Sequence, residues 1–137
     1  MRVVAHIQRT VLGLIFILTG LNGFFRFLHQ PSFQTPAARE LMTVMQATPY
    51  GHLLFGLQVV CGLLLLTRLF VPIALTILAG YLFNIYLFHL FLDHTFSPLG
   101  LLASVLWVLT FLRNRDAFRT ILRRRPSKPL AVADSQR

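Results

Sequence analysis

Apolar residues in this 137-residue chain run in long blocks and do not alternate with polar ones. Four blocks, 10–28, 49–66, 70–92 and 98–112, come near the roughly 20 apolar residues that a helix needs to cross a hydrocarbon core of about 30 Å. Continuous runs argue against the strands of a lipid-facing barrel, which alternate with period two. The pattern predicts an all-α fold, an integral membrane four-helix bundle, with residues 1–125 as a single four-span domain. Asn22 and Arg26 interrupt the first block near its far end, and Asn84 and His89 interrupt the third. The fourth is the shortest and is expected to gain length from Phe96 before it and from helix continuing after it.

Hydroxyl-proline pairs mark where helices begin, because the hydroxyl accepts from free amides and proline has no N–H to leave unpaired in the first turn. Thr48-Pro49 and Ser97-Pro98 open spans two and four, and Thr35-Pro36 opens a shorter element. Between Thr67 and Pro72 there is room only for a tight link, which makes spans two and three an antiparallel hairpin. The N-terminal run ends in Gly23-Phe24-Phe25-Arg26 without a small-residue cleavage site, so it is expected to stay as span one and not to be removed as a signal peptide.

Two amphipathic pieces lie outside the spans. In 36–47, Ala38, Leu41, Met42 and Met45 fall at i, i+3, i+4 and i+7, the spacing of a helix that lies on the outer surface and roofs the bundle. In 113–125, Ala117, Phe118, Ile121 and Leu122 share a face ringed by arginines. Arg115, Arg119, Arg123, Arg124 and Arg125 are the expected contacts to the membrane surface. Residues 126–137 read as a flexible tail.

Composition agrees with a membrane class and adds an orientation. Only 12% of residues are charged, against about a quarter in soluble domains. The net charge is +9. With four spans both termini share a side, and eleven of the thirteen basic residues fall there, leaving Arg26 and Arg39 opposite. The positive-inside rule makes both termini cytoplasmic. The basic balance is thereby a topology signal, and without a recognisable fold motif it does not point to nucleic acid.

The single cysteine, Cys61, excludes a disulfide framework and vicinal-cysteine redox chemistry and reads as core filler. No nucleophile triad or phosphate-cradling loop is present, so no catalytic residue is assigned. His29, His52, His89 and His94 match no compact ligand spacing, and no metal site is expected. The candidate ligand-binding residues are the polar groups inside or beside the spans: Asn22, Arg26, Gln58, Asn84, His89 and Asp93. Two readings stand. A histidine beside an aspartate can exchange a proton with a quinol while Arg26, Gln58 and Asn84 hold carbonyl oxygens. Alternatively, Asn22, Gln58 and Asn84 tie helices together, at about 0.6 kcal/mol per bond, while Arg26 and His89 snorkel. Asn84 and His89 stand about 140° apart on a regular helix, so they need not line one pocket.

The strings GLIFILTGLNGFFRF (13–27), FGLQVVCGLLLL (55–66), FVPIALTILAGYLFNIYLFHLFL (70–92) and RNRDAF (113–118), in this order, resemble the DoxX family of small four-helix bacterial membrane proteins. The resemblance covers 10–122. It implies a protein of the bacterial inner membrane that is an accessory or anchoring subunit of a redox or stress-response system. Relatives in the wider group include a subunit of a thiosulfate:quinone oxidoreductase. Many similar sequences carry glutamate where this chain has Gln58, a departure that removes an ionisable group from span two. A quinone is the candidate cofactor, with a small lipid as the alternative ligand of the polar cluster in the outer half of the membrane. The lipid bilayer, a redox-enzyme subunit and a second copy of the chain are the candidate partners. A structural membrane protein without ligand and a small transporter are the alternatives.

Overall fold

The computed structural model describes residues 2–29 and 32–121, with side chains over 6–29 and 32–119. The expectations for Leu122, Arg123, Arg124, Arg125 and the tail lie outside the described residues. Among the described residues all regular structure is helical: α1 (Arg2–Phe25), α2 (Pro36–Ala47), α3 (Pro49–Thr67), α4 (Val71–Leu87) and α5 (Pro98–Ile121). α4 passes without a break into a π-helical turn, Phe88–Asp93.

Three helical stretches are long and apolar enough to cross a membrane: His6–Phe25, Pro49–Thr67 and Val71–Asp93. Only 28% of each is buried inside the fold, and large side chains such as Leu14, Leu18, Leu53, Phe83 and Leu90 point outward. A helix apolar on all sides with most of its surface uncovered needs lipid as its solvent. α5 differs. Its apolar portion gives way at Arg113, but nothing there breaks a helix, so one continuous helix takes in both the fourth block and the start of the basic segment.

The α1–α3 pair is the closest in the bundle because glycines line it. A Cβ on Gly13 would stand 2.9 Å from the Gly62 carbonyl oxygen, and one on Gly62 would stand 2.6 Å from that of Gly13. About two turns further along, a Cβ on Gly20 would meet the Phe55 carbonyl at 2.8 Å. Small residues let backbones approach where lipid supplies no hydrophobic drive. Leu12, Phe16, Cys61, Leu65, Leu75 and Leu78 fill the centre behind this seam, and α5 joins through Ala103 and through Trp107 Nε1–H, which donates to the Leu75 carbonyl at 2.8 Å.

The expected caps hold at two of three starts. Thr35 accepts from Ala38 N–H at 3.1 Å and Ser97 from Gly100 N–H at 3.1 Å. Thr48 makes no cap bond, because its hydroxyl donates back to Val44 at 2.8 Å within the close junction of α2 and α3. At that junction Gly51 presses against Met45, whose carbonyl oxygen would stand 1.6 Å from a Cβ. The α3–α4 link is three residues long and turns through left-handed backbone at Arg68 (φ 64°) and Phe70 (φ 49°).

Candidate functional site

α2 lies across one end of the bundle, and beneath it a cleft of about 1160 Å³ is lined by α3, α4 and the start of α5. Its volume matches or exceeds the usual range of about 300–1,000 Å³ for small-molecule sites. The roof is Leu41, Met42 and Met45 of α2, with Ala38 buried behind them. The amphipathic spacing thus serves the orientation it predicts. One wall is Tyr50, Leu54, Phe55, Leu57 and Gln58 on α3. The other is Ile77, Gly80, Tyr81, Asn84, Ile85, Phe88 and His89 on α4 and the turn after it. A Cβ on Gly80 would have nothing within 4 Å, so the cleft is open at that point.

The α4 lining follows i, i+3, i+4, i+7, i+8, i+11 and i+12. At 100° per residue this stripe takes in about half of the helix circumference, with Gly80 and His89 near its two edges. Asn84 and His89 line the same cleft despite their angular separation because the cleft is that wide. The helix also widens from Phe88 on, where a π turn carries i→i+5 bonds.

Of the six expected site residues the structure brings four to the cleft: Gln58, Asn84, His89 and Asp93. Asn22 and Arg26 do not line it. α1 ends at Phe25, and the Asn22 side-chain oxygen turns back to accept from Leu28 N–H at 2.7 Å. Arg26 follows in left-handed backbone (φ 51°) with its side chain exposed. These two residues close the C-terminal end of α1, and the expectation that they join the cluster is corrected.

The four that converge have different work. Asp93 is 3% exposed and fully engaged: Oδ1 accepts from Gln34 N–H at 2.7 Å and Oδ2 from the Thr95 hydroxyl. With Thr35, whose hydroxyl donates to the Leu92 carbonyl, it fastens the start of α2 to the end of α4. Thr95 also lies 2.9 Å from His89 Nδ1. Because the threonine proton is given to the carboxylate, its oxygen accepts from the histidine, which places the imidazole proton on Nδ1 and leaves Nε2 for a ligand. Thr95 therefore holds His89 at a set angle, a role that Asp93 and His89 alone did not suggest. A hydroxyl residue just after a histidine–aspartate pair was the available signal.

Gln58 and Asn84 behave unlike structural amides. Among the described residues neither side chain makes a hydrogen bond, although Gln58 is half-buried and both face the cleft. The helix-tying reading requires such bonds. The wall hydroxyl that does tie helices is Tyr81, which donates to the Leu54 carbonyl of α3. Gln58 and His89 also border a second space of about 180 Å³ that reaches Phe16 and Thr19 of α1. Of the other histidines, His52 stacks on Phe24 with centroids 5.6 Å apart and His94 bonds Leu90 of its own chain segment at 3.1 Å.

No family model, curated protein or solved structure matches the chain.

Proposed function

We propose that the chain is a multi-pass protein of the bacterial inner membrane, DoxX-like, that holds a quinone in the roofed cleft as an accessory or anchoring subunit of a redox or stress-response assembly. In this reading the apolar part of α5 is the fourth span and both termini are cytoplasmic, as the basic residues ask. The observation that carries the ligand reading is the pair of unspent amides, Gln58 and Asn84, facing an apolar cleft of about 1160 Å³ next to an oriented histidine. The half-buried, unpaired Gln58 amide costs free energy that a ligand carbonyl offsets, and the exposed Asn84 amide offers a second donor. A quinone head offers two carbonyl oxygens to such donors, and its isoprenoid tail suits walls of Leu, Ile, Met and Phe. The chain carries no catalytic motif of its own, so electron transfer belongs to a partner enzyme.

The test is a solvent extract of the full chain purified in mild detergent, with added short-tail quinone as a second arm. A co-purifying quinone near one per chain, reduced in Gln58→Leu and Asn84→Leu, supports the proposal. No quinone in the extract, together with no saturable binding of the added one, refutes it.

A further inference from the structure

The opposite end of the bundle from the cleft carries a second concentration of chemistry. α1 and α3 run antiparallel with Gly13 against Gly62 and Leu66, so the turn before Gly13 meets the residues after Leu66. That register brings His6 and Arg9 of α1 to Arg68, the residue that caps α3, and the three act on one another electrostatically. Among the described residues no carboxylate pairs with Arg9 or Arg68, whereas Arg119 pairs with Asp116.

Two nitrogens of this group are inaccessible to water and have no hydrogen-bond partner among the described residues: Arg9 Nε and His6 Nδ1. Such buried polar groups are normally satisfied, and cations that repel one another across a helix pair need a counter-charge to stay together. His6 begins a candidate span and Arg68 follows Thr67, the last residue of another, so the cluster stands at the edge of the apolar belt, where lipid phosphates lie. α4 starts three residues after Arg68 and adds the positive end of its dipole.

We infer that His6, Arg9 and Arg68 form a phosphate-binding site that takes the phosphodiester of an anionic lipid headgroup. Arg68 and Arg9 offer guanidinium donors suited to paired phosphate oxygens, and His6 adds a third donor from the helix turn before Arg9. A bound phosphate pairs with the terminal guanidinium nitrogens, offsets the mutual repulsion of the two arginines and seals the close α1–α3 seam at this border of the membrane.

The experiment uses the full chain in detergent micelles with ¹⁵N-labelled arginine. It is titrated separately with dioctanoyl phosphatidylglycerol, dioctanoyl phosphatidylcholine and inorganic phosphate. The expected result is a saturable shift of the Arg9 Nε resonance with phosphatidylglycerol, at least about tenfold tighter than with the zwitterionic lipid, and no saturable shift for Arg119. Inorganic phosphate binding as tightly as phosphatidylglycerol supports the phosphate site but assigns it to the free ion and overturns the lipid source. In native mass spectrometry, Arg9→Gln with Arg68→Gln should lose bound phosphatidylglycerol by at least about tenfold while Arg119→Gln does not. The wild-type titration decides the matter even if the double variant fails to fold. An Arg9 resonance unmoved by all three probes, or moving in step with Arg119 without saturation, overturns the site.

Discussion

Replacing Asp93 with alanine should unfasten the roof while leaving the bundle folded. The buried carboxylate accepts from Gln34 N–H at 2.7 Å and from the Thr95 hydroxyl, so alanine leaves two donors without their acceptor. A hydrogen bond to a charged acceptor contributes about 1.5–3 kcal/mol. The Thr95 hydroxyl can turn toward other acceptors, and the Thr35 bond to Leu92 survives, so the net cost to the closed roof is about 2–4 kcal/mol. That loss falls on α2, a 12-residue helix packed mainly against α3 and the π turn, and not on the α1–α3 seam. Amide exchange read by mass spectrometry in micelles should show residues 34–47 exchanging about 30- to 1,000-fold faster, with α1 and α3 protection unchanged. Asp93→Asn keeps one acceptor for Gln34 and should fall between, near about tenfold. Unchanged exchange over 34–47 in the alanine variant would refute the fastening role. A loss of protection spread evenly over every helix would show that Asp93 supports the whole bundle and not the roof.

Four further outcomes follow from the same geometry. Gly80→Phe should fill open cleft space without a clash, keep or raise the melting temperature, and lower affinity for added short-tail quinone by at least about tenfold, the equivalent of 1.4 kcal/mol; unchanged binding would put the ligand elsewhere. Gly62→Val must push against the Gly13 carbonyl at 2.6 Å and should destabilise the bundle by about 1–3 kcal/mol in a denaturing-detergent titration. No loss there would mean that the seam is looser than described. Gly51→Ala forces Met45 away and should raise exchange across the α2–α3 junction, an effect that would be absent if the roof helix moved freely on its hinge. Cys61 is buried and should resist maleimide labelling in the folded protein and react once it is denatured; fast labelling of the native form would contradict its place in the core.

How far the residues alone led can be seen element by element. The boundaries of α2 and α3 and the tight α3–α4 link were legible because they rest on local chemistry: a threonine or serine before proline, an apolar run, a short turn. The inward face of α2 was legible for the same reason, since i, i+3, i+4 and i+7 positions share a side whatever the neighbours are. α1 starts and ends earlier than the apolar block 10–28, because Arg2, Gln8 and Arg9 do not stop a helix whereas the left-handed turn at Arg26 does.

The membrane class, the helical character and the list of polar groups worth examining were determined by the sequence, because hydropathy and helical periodicity act over a few residues at a time. Which of those groups meet was decided by the tertiary structure. Asn22 and Gln58 both look like intramembrane amides in the sequence, yet one bonds the residues just past the end of its own helix and the other faces a cleft unpaired. The difference lies in where each helix stops and in how the helices pack, which glycine contacts and the Asp93 fastening set between residues distant in the chain. The convergence of His6, Arg9 and Arg68 has the same origin: a register set by Gly13 against Gly62 places side chains more than 50 positions apart at one end of the bundle.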